Sequence, residues 1–301
     1  MPSTNPDVKK PTPEIFLRAV DLTPAPAEVF DEAYEATPQY VPWPKAYGGD
    51  MVAQSAAAMM RSVRGDRVLH SMHSYFMRPV DIGVPVRYEI EKLRDGRGYS
   101  TRSVRGFQNG KIVFTGMGSF QVPEEGTEYQ PAAPSHLDPE ELRSAAEVLT
   151  DADGAAADYW ATGRSFDMRH VPGPVYVSVD GGVQAHQAVW VKAFASLPAA
   201  ADEHANADLH RAALAYVCDY TILESLLRVQ NLHWSSPGLV TASLDHSMWF
   251  HRFGRADDWL LYAQEAVSAQ RNRGLALGRF FDRNGRLLAT VAQEGMIRSG
   301  S

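Results

Sequence analysis

The chain has 301 residues, 45% of them hydrophobic and 22% charged, with a formal net charge of −7. Such a chain is long enough to bury a core in one large or two ordinary domains, and its acidic balance argues against a general nucleic-acid binder. One cysteine, Cys218, excludes an internal disulfide framework and points to a reducing compartment, the cytoplasm.

Residues 1–13 are polar and proline-bearing, with Lys9-Lys10, and no apolar stretch follows, so no signal peptide is expected. No run of about 18 apolar residues occurs, so no membrane-spanning helix is expected. The ending Arg298-Ser299-Gly300-Ser301 is not a Ser-Lys-Leu address. The alanine- and methionine-rich run Met51–Val63 after Gly48-Gly49 predicts a helix. Strands are predicted near Ser71–Phe76, Val84–Arg94, Ser100–Gln108 and Lys111–Val122. Pro123–Gly163, rich in Pro, Ala and acidic residues, reads as a linker with one short helix over Pro139–Leu149. Beyond it, Ser165–Arg169 and Gln187–Phe194 read as strands and Leu209–Gln230 as a helix. Strands follow near Val240–Phe250, Trp259–Ala269, Gly274–Asp282 and Leu287–Arg298. Met51, Met59, Met60, Met72 and Met77 are read as core, some of them candidates to line an acyl tunnel.

The halves echo one another. His73-Ser74-Tyr75-Phe76 and His246-Ser247-Met248-Trp249-Phe250 each precede alternating runs and then an Asn-Gly pair, Asn109-Gly110 and Asn284-Gly285. Asn-Gly between such runs signals a hairpin. The nearly equal spacing of these anchors points to one structural unit used twice. A helix on an antiparallel sheet, used twice, is an α+β layout. The expected division is 14–122, a linker over 123–164, and 165–301.

Leu244-Asp245-His246-Ser247-Met248-Trp249-Phe250-His251-Arg252 and Trp259-Leu260-Leu261-Tyr262 closely resemble the acyl-CoA thioesterase II family. So do Tyr47-Gly48-Gly49, His73-Ser74-Tyr75-Phe76, Arg78-Pro79, Leu93-Arg94-Asp95-Gly96, Gln108-Asn109-Gly110, Ser119-Phe120-Gln121 and Gln293-Glu294-Gly295-Met296. The resemblance runs from about residue 40 to 298 and implies a double hotdog, two helix-on-antiparallel-sheet units in one chain. It also implies hydrolysis of medium- to long-chain fatty acyl-CoA without metal or cofactor, and homodimers or homotetramers. By resemblance the catalytic set falls on Asp219, Ser243 and Gln293, all in the second half. The sequence departs from the family at Asp50, where glutamine is common, which leaves the role of that helix start open.

Chemically, Asp219 can take a proton from water, and Gln293 and Ser243 can orient that water. A backbone N–H at a helix start is the expected oxyanion partner. Ser243 as an acylated nucleophile would need a histidine base, and the spacing to His246 is expected to set that ring on the opposite strand face. No Gly-x-Ser-x-Gly elbow is present. Candidate contacts to substrate are Arg271, Arg273, Gly48 and Gly49. Two arginine groups, Arg271/Arg273/Arg279 and Arg97/Arg102/Arg105, are read as solvated faces or a rim for the CoA phosphates. His70, His73, His246 and His251 lack metal-ligand spacing and are expected to be satisfied by backbone carbonyls. Cys218 sits in an apolar run and is expected to be a core thiol. The alternatives are a hotdog enoyl-CoA hydratase, which adjacent Asp245 and His246 do not suit, and a non-catalytic acyl-CoA carrier or sensor.

Overall fold

A computed structural model describes residues 12–135, 137–199 and 202–300; the expectations placed on residues 1–11 and on Ser301 lie outside them. The N-terminal half opens with a short helix, α1 (Glu14–Ala19), and two short strands, β1 (Thr23–Ala25) and β2 (Glu32–Ala36). The long helix α2 (Gly48–Arg61) follows, then β3 (Val68–Phe76), β4 (Val86–Asp95), β5 (Tyr99–Gln108) and β6 (Lys111–Gln121). The sequence analysis missed α1, β1 and β2. Pro24 marks β1 as an edge strand, and Glu32-Ala-Tyr-Glu-Ala is as compatible with a helix as with a strand. α2 is buried on nearly all sides, from Gly49 to Met60. A helix in that position needs small apolar residues rather than a polar face.

The segment after β6 carries two short helices, α3 (Ala145–Val148) and α4 (Ala155–Ala161), where one was expected. It is strapped to the outer face of the second half's strands. Gln130 bridges the Gly285 carbonyl and the Leu287 N–H, and the indole of Trp190 donates to the Leu137 carbonyl. The C-terminal half then runs β7 (Phe166–Val171), β8 (His186–Ala193), α5 (Glu203–Val217), α6 (Glu224–Val229), β9 (Val240–Ser243), β10 (Asp245–Phe250), β11 (Leu260–Gln270), β12 (Arg273–Asp282) and β13 (Leu287–Arg298).

All thirteen strands form one antiparallel sheet in the order β1-β2-β4-β5-β6-β3-β10-β13-β12-β11-β8-β7, with β9 paired to β13. Reading outward from the central β3–β10 pair, each half repeats the same arrangement, and α2 and α6 each lie on their own half's strands. This is the double hotdog. The first Asn-Gly pair is the expected tight turn, with φ of 51° at Asn109 and 72° at Gly110. The second is a wider loop, closed by the Asp282 carboxylate accepting from the N–H groups of Asn284 and Arg286. The tight turn of the second half lies at Arg271-Asn272 instead, where both φ values are positive.

The His-Ser echo is one residue out of structural register. At the seam His73 stands opposite Ser247 and Ser74 opposite His246. His73 therefore sits on the exposed face and His246 on the buried one. Four of the five methionines are core. Met77 is 51% exposed, because the chain leaves β3 at Phe76 and turns out.

Glycines seat large rings and side chains between the helices and the sheet. A methyl group at Gly278 would lie 2.4 Å from the Tyr262 ring, which stacks on Phe280 at 3.9 Å. Gly278→Ala is expected to cost about 1–3 kcal/mol through overpacking, read as a lowered urea midpoint. An unchanged midpoint would mean the Tyr262–Phe280 stack yields without cost.

Candidate active site

The helix expected over Leu209–Gln230 is broken at the site. α5 stops at Val217, Cys218–Tyr220 form one 3-10 turn, and α6 starts at Glu224. No proline or glycine explains the break, so its cause is tertiary. The Tyr47 hydroxyl donates to the Tyr216 carbonyl at 2.6 Å, the acceptor that the Tyr220 N–H would use in a continuing helix. The Tyr47 ring stacks on Tyr220 at 4.3 Å. The turn is also held by Gln264, whose amide donates to the Thr221 hydroxyl at 2.6 Å. Asp219 is presented from this turn, partly exposed.

The structure brings Asp219, Ser243 and Gln293 into one closed set. The Gln293 amide nitrogen donates to Asp219 Oδ1 at 2.6 Å and to Ser243 Oγ at 2.9 Å, and Ser243 Oγ donates to the same Oδ1 at 2.9 Å. His246 completes the set from behind, which the sequence analysis missed. Its Nδ1 lies 2.9 Å from Gln293 Oε1. Since Oε1 can only accept, this contact assigns the proton to Nδ1 and fixes the amide with its nitrogen toward Asp219. Burial pulls the His246 imidazole below its usual range, so it is neutral near pH 7.

The expectation that His246 points away from Ser243 fails for a definite reason. Ser243 stands opposite Gly295, but Ser247 stands opposite Ala292. One extra residue is absorbed around Leu244, between β9 and β10, and such a bulge reverses the alternation beyond it. Ser243, His246, Gly295 and Gln293 thus share the helix-facing side. Cys218 is a fully buried thiol, as expected, donating to the Ala215 carbonyl, and burial raises its pKa well above the usual range.

The start of α2 meets Asp219. A methyl on Gly48 would come 2.5 Å from Asp219 Oδ2, and one on Gly49 would come 2.3 Å from the Tyr216 carbonyl oxygen. Only glycine permits this approach. The Gly48 and Gly49 N–H groups that open α2 lack acceptors within the helix and carry its positive dipole end, while the Asp50 N–H donates back to the Tyr47 carbonyl. One residue on, Asp50 is fully buried, and burial pushes its carboxyl up to about 8, helped by the neighbouring Asp219. A carboxylate, an amide and a hydroxyl thus face a helix N-terminus, a set able to hold a water and a carbonyl oxygen side by side.

Gly48 and Gly49 therefore join the set, while Arg271 and Arg273 do not. Arg271 lies in the β11–β12 turn. Arg273 pairs with Glu294 at 2.8 Å, on the sheet face opposite Gln293. Arg279 borders a groove of about 510 Å³ between the strap and that same outer face, with Pro131, His186 and Leu277. Arg102 is buried against Ser62 and Asp95, so it is a structural cation rather than part of a solvated face or phosphate rim. Strand histidines find side chains rather than carbonyls: His70 meets Ser119, His73 meets Ser247 and His251 meets Thr290.

Comparison with known proteins covers both halves in order. Residues 39–121 match the acyl-CoA thioesterase N-terminal domain and residues 162–296 match acyl-CoA thioesterase. Acyl-CoA thioesterase 2 of Haemophilus influenzae is 31% identical, over 90% of this chain and 94% of that one. Human acyl-coenzyme A thioesterase 8 is 33% identical, over 89% of this chain and 85% of that one. The crystal structure of acyl-CoA thioesterase II TesB2 from Mycobacterium marinum superposes with a TM-score of 0.74 at 32% identity, covering 95% of this chain and 99% of that one. A hot dog fold protein from Alicyclobacillus acidocaldarius shares the fold at a TM-score of 0.73 and 18% identity, over 95% of this chain and 98% of that one. Matched in both halves and over nearly the whole length of a bacterial relative at 31% identity, the chain belongs to the acyl-CoA thioesterase family.

Proposed function

We propose that the protein hydrolyses medium- to long-chain fatty acyl-CoA thioesters by direct attack of a water held by Asp219, Ser243 and Gln293. The observation that carries this reading is the closed Asp219–Ser243–Gln293 set abutting the first turn of α2. The thioester carbonyl oxygen lies at the α2 N-terminus, where the Gly48 and Gly49 N–H groups are the candidate donors to the developing oxyanion. Water attacks the carbonyl carbon and passes a proton to Asp219. The tetrahedral intermediate then expels CoA thiolate, which takes that proton, leaving free acid and CoA. Each part of the set serves one step. Ser243 and Gln293 saturate Asp219 Oδ1, so Oδ2, facing Gly48, is left for the water. His246 already spends its Nδ1 proton on Gln293 and is poorly placed to activate Ser243 as a nucleophile.

The CoA phosphates are expected at a basic rim that includes Arg271. The cytoplasm is the compartment most consistent with the lone, buried Cys218, and none of the described helices is long and apolar enough to cross a membrane. Association of chains into dimers or tetramers belongs to the same proposal.

The test is thiol release from acyl-CoAs of graded length. Asp219→Asn is expected to lower kcat by about a hundred- to ten-thousand-fold in a folded protein, and Cys218→Ala to retain turnover. In ¹⁸O-water a single turnover is expected to label the product acid and leave Asp219 and Ser243 unlabelled. Label on the enzyme, or a trapped acyl-Ser243, would replace water attack by covalent catalysis. Absence of thiol release from every acyl-CoA would favour the carrier or hydratase readings.

His246→Leu leaves Gln293 Oε1 buried without a donor, so its amide loses its fixed orientation. The expected fall in kcat is about tenfold or more, with KM little changed. An unchanged kcat would show that Gln293 needs no support.

A further inference from the structure

Asp50 has no role in the reaction as described, yet it occupies a meaningful place. Tyr47-Gly48-Gly49-Asp50 leads into α2, and Tyr216-Val217-Cys218-Asp219 spans the end of α5 and the 3-10 turn. Each is a tyrosine three residues ahead of an aspartate, and the two tyrosines clasp through the Tyr47 hydroxyl and a 5.2 Å ring contact. The strands show what accompanies each aspartate. Leu69 opposes Phe120 in the first half, as Ser243 opposes Gly295 in the second. Two residues back along β6 and β13 stand Gly118 and Gln293. The first half thus has Asp50, Leu69 and Gly118 where the second has Asp219, Ser243 and Gln293. The place of a side chain at Gly118 is taken by Met59, whose Sδ would lie 3.0 Å from a methyl there. Asp50 is therefore not the base of a second hydrolytic site.

Its surroundings favour an uncharged acid. Asp50 is fully buried, its Oδ2 accepts the Gln39 N–H at 2.8 Å, and its Oδ1 has no hydrogen-bond partner among the described residues. Among the described residues, the titratable groups that face it are Asp219 on the 3-10 turn, Tyr216 on α5, Tyr88 on β4 and Tyr159 on α4. None is a cation, and burial raises all three tyrosines well above their usual range. A charge on Asp50 would have one hydrogen bond and would stand as a second anion against Asp219. It would also lie in the first turn of α2, whose positive end receives the oxyanion, and so would cancel part of that field.

We propose that Asp50 is a positioning residue of the hydrolytic site that works as a neutral carboxylic acid. While it holds its proton, Asp219 is the sole anion at the start of α2; loss of that proton turns hydrolysis down. The inference rests on the reading of Asp219 as the base.

The experiment is kcat/KM against pH from about 6 to 9.5, with the uncatalysed rate subtracted, for wild type and Asp50→Asn. Wild type is expected to fall above about pH 8, where the buried carboxyl ionises, by on the order of tenfold or more. Asp50→Asn, whatever its rate at neutral pH, is expected to lose that alkaline limb. A merely structural role would not move the limb. The same ionisation is read from stability. The folded-state affinity of Asp50 for its proton is raised, so its contribution is full at acid pH and is lost as pH rises through about 8. The melting temperature of Asp50→Asn relative to wild type should therefore climb between pH 6 and 9.

Wild type alone gives a check that needs no folded variant: a carboxylic-acid carbonyl band in the infrared that titrates in step with kcat/KM. A wild-type profile flat to pH 9.5, an alkaline limb unchanged in Asp50→Asn, a folded Asp50→Asn inactive at every pH, or no titrating band would each overturn the proposal. Asp219→Asn separates the two readings. If it stays active, the base assignment fails. If it is inactive while the limb survives Asp50→Asn, only the inference about Asp50 fails.

Discussion

The hydrogen bond from the Tyr47 hydroxyl to the Tyr216 carbonyl is the contact on which the site depends. It joins the two halves, and it takes from α5 the acceptor its next turn would need. The chain tightens into a 3-10 turn, a form that stretches of helix adopt at functional positions. Asp219 is thereby carried off the helix surface and placed against Gly48 of the other half. Neither half alone contains both the carboxylate and the helix N-terminus. The duplicated fold thus assembles the candidate site, because the carboxylate comes from one copy and the helix start it abuts from the other.

Rigidity reaches the reacting groups through a chain of assigned protons. His246 is buried and neutral, so its single N–H can serve Gln293 Oε1; that contact determines which end of the amide faces Asp219, and the amide then fixes Ser243. Each member has a donor matched to an acceptor, which is how buried polar groups become specific rather than costly. The arrangement leaves one carboxylate oxygen uncommitted beside Gly48. A site that must hold a water needs such an unfilled position, and the hydrogen bonds around Oδ1 define where it lies.

Much of the fold was legible in the sequence because strands and hairpins are local. The alternation in β4–β6 and β11–β13 and the Asn109-Gly110 turn lie where the pattern puts them, with β13 matching to the residue. Besides the short α1, β1, β2 and the second linker helix, three features of the site and seam were not legible, and all depend on distant contacts. The break after Val217 is caused by Tyr47, far back in the chain. The bulge at Leu244 has no glycine or proline to announce it, so counting along an ideal strand set His246 on the wrong face. The His73 and His246 echo marked the repeat correctly but one residue out of register, because the seam pairs His73 with Ser247. The catalytic candidates came from resemblance, and each is individually ordinary. Arg273 falls on the sheet face opposite Gln293, a placement that its position in the sequence alone did not give.

The repeat also shows how one fold can hold a polar hydrogen-bonded set in one copy and packing in the other. In both halves the helix comes close to the sheet by resting a large side chain on a glycine: Met59 of α2 on Gly118, Leu226 of α6 on Gly274, and Leu223 just before α6 on Gly295. The difference is where the glycine falls. In the first half it occupies the position that Gln293 holds in the second, so Met59 fills the space and the copy becomes core. In the second half the glycine lies two residues further along β13, and the amide position stays free to reach Asp219. Moving one small residue by one step on the same face of a strand therefore decides whether a unit seats its helix over the reacting position or beside it. Asp50 then sits against core, where burial favours its uncharged form, while Asp219 has a hydroxyl and an amide as partners.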